Sequence, residues 1–195
     1  MRDLDRTALI VVDVQLAFDD LGHWSPNGRR DNPDCEANVA ALVNAWRAHG
    51  RPLVFVRHDS VTPGSPLAPG APGNALRPEL GTEPDLLVTK HVNSAFHGDP
   101  DLDAWLRRRD LSSIAVCGVQ TNHCAETTAR VGGNLGHDVL FVRDACHTFD
   151  RLSPDGELVT AEELTRATVT SLHGEFATVV RTADLIDPGA GHASR

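Results

Sequence analysis

Three side chains in this 195-residue sequence have the types and positions for nucleophilic chemistry at a carbonyl: Asp13, Lys90 and Cys124. Asp13 follows the apolar run TALIVV, Lys90 closes DLLVTK, and Cys124 ends CGVQTNHC, just past the strand-like SIAVCGV. A thiol with a free pKa of about 8.5 is a weak nucleophile at neutral pH until a nearby cation and a helix N-terminus favour its thiolate. Lys90 and the first turn of a helix over 123–135 would supply both. Asp13 would accept the thiol proton and pass it to a leaving amine, with Lys90 holding the aspartate charge. Backbone N–H groups at the strand-to-helix turn ending in Cys124 would face the developing oxyanion.

These residues need elements that bring them to one place. The runs at 7–14, 52–59, 113–119 and 138–145 are continuously apolar, the pattern of strands buried on both faces of a parallel sheet. Weaker runs at 85–90 and 177–186 add two more strands. Helical patterns at 34–49, 100–109, 123–135 and 160–173 alternate with them, and Asp99-Pro100 reads as an N-cap followed by a first-turn proline. The predicted architecture is a three-layer α/β/α Rossmann-like open sheet, mainly parallel, of about six strands in the order 3-2-1-4-5-6. In that order the first and fourth strands are neighbours, which places Asp13 beside Cys124. Lys90 starts two strands from Asp13, about 10 Å away, a gap its long stem can close.

One connection is anomalous. Residues 61–84 hold six of the twelve prolines, and a loop that long in a compact domain is usually functional or contacts a partner. It leaves the carboxyl end of a strand, so it is expected either to wall the crevice there or to pack on a neighbouring subunit. The last nine residues, 187–195, read as a fraying tail. The length suits one hydrophobic core, hence a single domain over 1–195.

Composition narrows the partners. With 27 acidic against 18 basic residues the net charge is −9, which argues against nucleic acid. The charged N-terminus and the lack of any long apolar run point to a cytoplasmic protein with no membrane segment. Cys35, Cys117, Cys124 and Cys146 form no CxxC pair and are expected as free thiols. Tyrosine is absent, which excludes phenolic acid-base chemistry, and no GxGxxG follows the first strand, which argues against a dinucleotide site.

LIVVDVQ (9–15), VTK (88–90) and GVQTNHC (118–124), in this order and spacing, resemble the isochorismatase-like cysteine hydrolases, the family that includes nicotinamidases and N-carbamoylsarcosine amidohydrolase. The resemblance spans residues 5–182. It implies that Asp13, Lys90 and Cys124 form a catalytic triad, that the Val119-Gln120 peptide is cis, and that the N–H groups of Gln120 and Cys124 make the oxyanion hole. It also implies a small-molecule substrate and a homo-oligomer, dimer or tetramer.

Nicotinamidases bind a metal through a D-x-H pair after the second strand, where this chain has His58 and Ser60, so neither metal nor other cofactor is expected. Phe18, Trp24, His58 and Phe96 are candidate pocket residues, and Arg57 with His58 could hold a substrate carboxylate. The sequence thus reads as a cysteine-dependent hydrolase of an amide, carbamoyl or lactam C–N bond, acting through a thioester. The rival readings are a non-catalytic binding or scaffold member of the fold and a redox-active thiol protein.

Overall fold

The computed structural model describes residues 3–186. Six parallel strands form the central sheet: β1 (Thr7–Val12), β2 (Leu53–His58), β3 (Leu86–Lys90), β4 (Ser113–Val119), β5 (Asp138–His147) and β8 (Thr178–Val180), in the order β3-β2-β1-β4-β5-β8. A separate antiparallel ribbon, β6 (Arg151–Leu152) with β7 (Leu158–Val159), interrupts the chain numbering without joining the sheet. With the ribbon set aside, the strand order is the predicted one.

β1 is buried along its whole length because both faces of the sheet are covered. Helix α2 (Cys35–Ala48) packs on β1, β4 and β5 and beside α6 (Thr182–Ile186). Its fully buried Trp46 donates its indole N–H to the carbonyl of Thr7. Helices α4 (Glu126–Asn134) and α5 (Ala161–Leu172) pack on each other and on β5, while α3 (Leu102–Arg108) is tied to the end of α4 through the Arg107 guanidinium and the Leu135 carbonyl. A one-turn helix, α1 (Leu21–Trp24), follows β1.

Three expectations change. Residues 177–186 do not form one strand: β8 stops at Val180, and Asp144 Oδ1 accepts from the Thr182 N–H at 2.8 Å, starting α6. Asp99 is not the cap of α3, because its backbone pairs with Thr89 across an isolated bridge and the Asp99-Pro100 peptide is cis; Asp101 caps instead, accepting from Ala104 N–H. The 61–84 connection is not structureless. It carries 3-10 turns at Pro72–Asn74 and Pro78–Leu80, and the buried Asn74 amide donates to the carbonyls of His58 and Leu67 and to Asp59. The 187–195 tail lies outside the described residues.

Register delivers the strand ends to one edge. Val12 pairs with Val56 on one side and Gly118 on the other, and His58 pairs with Lys90. The β4 end approaches β1 closely at Gly118, whose φ is +121° and where an added Cβ would stand 2.0 Å from the Val12 carbonyl oxygen. No L side chain fits that space or favours that conformation. Gly118→Ala should therefore lower unfolding free energy by more than about 3 kcal/mol or prevent soluble expression; a urea midpoint matching the parent would contradict this packing.

Candidate active site

Asp13 sits one residue beyond β1, where the chain turns away from the sheet. Its φ is +52°, its N–H donates to Val56 and its carbonyl accepts from Gln15. Gln15 holds that turn: its side chain accepts from the His58 N–H and donates to the carbonyls of His58 and Asn74. Lys90, the last residue of β3, is fully buried, as is Asp13. The lysine stem crosses the end of β2 and brings its ammonium to 2.6 Å from Asp13 Oδ2, 3.1 Å from His58 Nδ1 and 3.3 Å from Cys124 Sγ. An ammonium has three protons and no acceptor, so each proton meets one partner.

Cys124 reaches this point through an irregular backbone. After Gly118 the Val119-Gln120 peptide is cis, and residues Thr121–Ala125 form a single π-helical turn before α4. The Gln120 carbonyl accepts from both His123 and Ala125 N–H groups, which closes the turn and sets Cys124 beside Lys90.

The electrostatics differ from the sequence expectation that Lys90 and a helix N-terminus together favour the thiolate. Burial, and next the Asp13 carboxylate, push the Cys124 pKa well up; Lys90 opposes them and does not prevail. The resting group is a thiol. Asp13 Oδ1 is buried and has no hydrogen-bond partner among the described residues, so the carboxylate keeps one oxygen open while Lys90 holds the other. Burial and then the Lys90 charge lower the His58 pKa, leaving a neutral imidazole. Because the ammonium only donates, His58 Nδ1 is the acceptor and Nε2 carries the ring proton.

A cavity of about 350 Å³ opens onto these groups and is lined by Asp13, His58, Gln120 and Cys124. Phe18 and Trp24 form its aromatic wall, with ring centroids 4.7 Å apart and the Trp24 N–H donated to the Ala17 carbonyl. The start of the proline-rich loop, from Thr62 to Leu67, forms another wall. Phe96 does not line the cavity: its ring stacks on His137 and lies against Gly132, so it packs the helix layer behind the site. Arg57 is likewise excluded, since two hydrogen bonds tie its guanidinium to Asp59. His23, Asn93 and His123 line the cavity and were not singled out from the sequence, and Ser60, noted there only as standing in place of a metal-binding histidine, lines it too. His123 adjoins Cys124, and that adjacency is the signal that could have found it.

Asp13, His58 and Cys124 offer one donor atom each within 4.8 Å of one another, a set that could hold a metal ion. Asp13 Oδ2, His58 Nδ1 and Cys124 Sγ already face the Lys90 ammonium. A divalent ion there would sit against a buried positive charge, so these residues do not fit one while Lys90 is protonated.

Comparison with known proteins gives one picture. An isochorismatase domain model matches residues 7–184. The uncharacterized isochorismatase family protein YrdC of Bacillus subtilis is 33% identical over 94% of this chain and 96% of its own length. Streptothricin hydrolase of Streptomyces noursei is 32% identical, covering 90% of this chain and 63% of that protein. A solved isochorismatase-family structure from Chromobacterium violaceum superposes with a TM-score of 0.86 at 38% identity, over 93% of this chain and 92% of its own.

The opposed influences on Cys124 make a testable pair. Asn tolerates a positive φ, so Asp13→Asn keeps the turn while removing a charge that raises the thiol pKa. Iodoacetamide at pH 7 should alkylate Cys124 faster in Asp13→Asn and slower in Lys90→Met, by about tenfold for each pKa unit moved. Rates moving in the same direction in both variants would refute this balance.

Proposed function

The chain belongs to the isochorismatase family, and on that premise we propose that it hydrolyses the C–N bond of a small-molecule amide, carbamoyl compound or lactam through a thioester at Cys124. The observation that carries this reading is the Lys90 ammonium bonded at once to Asp13 and Cys124, with Asp13 Oδ1 left open beside the thiol.

In the first half-reaction Sγ attacks the substrate carbonyl carbon while Asp13 takes the thiol proton. The carbonyl oxygen gains negative charge, and the Gln120 and Cys124 N–H groups receive it. Asp13 then protonates the nitrogen as the C–N bond breaks, leaving a thioester and a free amine. In the second half Asp13 takes a proton from water, the hydroxide attacks the thioester, and the sulfur leaves and is reprotonated. Lys90 holds Asp13 Oδ2 in place through these transfers and offsets part of the thiolate's burial cost. A protonated resting thiol suits this scheme, because the proton is needed by the leaving group.

A redox role fits less well. Oxidation-sensing cysteines are exposed, low-pKa thiols, whereas Cys124 is only partly exposed and its pKa is raised. The open cavity at Sγ disfavours a purely structural role.

A panel of primary amides, N-carbamoyl compounds and cyclic amides, read by ammonia or amine release, tests the proposal. Turnover should fall about 10³-fold or more in Cys124→Ala and stay unchanged with EDTA. Full activity in Cys124→Ala would rule out the thioester, and loss of activity on chelation would bring a metal into the reaction.

A further inference from the structure

Resting on the reading of Cys124 as nucleophile, we infer that Thr148 is a positioning residue for the proposed oxyanion hole: its hydroxyl, braced by Asp31, holds Asn122 and Gln120 so that the Gln120 and Cys124 N–H groups stay aimed at one point.

The π-helical turn Thr121–Ala125 must keep its shape for both N–H groups to meet one oxygen. Backbone bonds from His123 and Ala125 to the Gln120 carbonyl close the turn without fixing it to the rest of the fold. Side chains have to do that. Thr121 Oγ1 is buried with no hydrogen-bond partner among the described residues, and Cys124 answers to the charge cluster at Lys90 and Asp13. The other side-chain contacts of Gln120 and the turn run to Thr148, whose Oγ1 donates to Asn122 Oδ1 at 2.5 Å and lies 3.5 Å from Gln120 Oε1. A hydroxyl has one proton, so Asn122 takes it and Gln120 keeps the longer contact.

Thr148 is itself held on both sides. It is fully buried one residue beyond β5, its N–H donates to Asp31 Oδ1 at 2.8 Å, and its carbonyl accepts from the Asp31 N–H at 3.2 Å. The second oxygen, Asp31 Oδ2, accepts from Thr165 Oγ1 on α5 at 2.5 Å. One turn further along α5, Thr168 Oγ1 donates at 2.9 Å to Oε2 of Glu126, the first residue of α4. Helix α5 therefore braces the turn twice, through Asp31 and Thr148 at Asn122 and through Glu126 at its exit. Thr148, Asn122 and Asp31 make no hydrogen bond to Asp13 or Lys90. Losing the Thr148 hydroxyl should thus disturb the oxyanion donors and leave the state of the thiol alone.

Two reactions of the same sulfur separate these roles. Iodoacetamide alkylates Sγ at a methylene carbon and forms no oxyanion. p-Nitrophenyl acetate acylates it: Sγ bonds to the carbonyl carbon, the oxygen carries negative charge, the C–O bond breaks, nitrophenolate leaves with the electron pair, and the thiol proton passes to Asp13. Nitrophenolate release, less that from Cys124→Ala, should fall about tenfold to hundredfold in Thr148→Val and recover in Thr148→Ser, which keeps the hydroxyl. The alkylation rate should stay within about twofold of the parent's in both variants, because it tracks the thiol and not the oxyanion donors. Asn122→Ala removes the acceptor from a partly exposed residue, should show the same selective loss, and decides the matter where Thr148→Val does not fold. Parent-like acylation in either variant, or a fall shared equally by alkylation in both, overturns the positioning role while the nucleophile reading stands. A parent whose Cys124 is alkylated yet releases no nitrophenolate above Cys124→Ala overturns both the acyl nucleophile and the hole that Thr148 would position.

Discussion

The site is organised around one buried cation. Taking an ammonium out of water costs several kcal/mol even after relaxation, and it is tolerated only where opposite charge and acceptors surround it. Lys90 meets that condition through Asp13, His58 and Cys124, which come from the ends of three other strands or the turns just beyond them. The lysine is therefore compatible with one arrangement of β1, β2, β3 and β4. A one-residue slip in any of these strands would turn its terminal side chain to the opposite face and strand the charge. The register pairs Val12 with Val56 and Gly118, and His58 with Lys90, and so sets the site more firmly than any local propensity.

The same cation explains why the thiol rests protonated yet stands ready. An ammonium beside a cysteine would normally favour thiolate, but here its nearer partner is the Asp13 carboxylate, at 2.6 Å against 3.3 Å for Sγ. Much of its field is thus matched before it reaches the sulfur, and burial decides the outcome. Proton and acceptor are held side by side, and an entering carbonyl supplies the reason for transfer. A thiol of this kind is protected from casual oxidants and alkylators in a way that a free-standing thiolate is not.

The strand order, most helix positions and the convergence of Asp13, Lys90 and Cys124 were legible because continuous apolar runs, punctuated by glycine and proline, leave little freedom in an α/β sheet. What escaped was decided by distant contacts. Phe96 reads as a pocket aromatic from its place after β3, yet the approach of Gly132 and His137 draws the ring into the helix layer. The short β8 depends on Asp144, nearly forty residues away, capping the next helix. The resting state of Cys124 depends on the depth of burial, which no spacing of residue types conveys. His123 and Ser60 carry no motif of their own and become lining residues only once the turn at Gln120 and the proline-rich loop are in place.

That loop separates what the site does from what it accepts. Its wall, from Thr62 to Leu67, is fastened by Asn74, whose amide reaches the carbonyls of Leu67 and His58, while Gln15 ties Asn74 to the turn that holds Asp13. His58 is the hinge of this arrangement: its backbone anchors the loop and its ring accepts a hydrogen bond from Lys90. The attachments to the charge cluster run through backbone carbonyls and two buried amides, and within the wall Ser65 Oγ accepts from the Leu67 N–H. Thr62 and Pro63 face the cavity with no side-chain hydrogen bond to Asp13 or Lys90, whereas Gly64, at φ +76°, sits in a backbone conformation that resists a larger residue. A fold built this way can keep one buried ion pair and one thiol while the wall facing the substrate is rewritten.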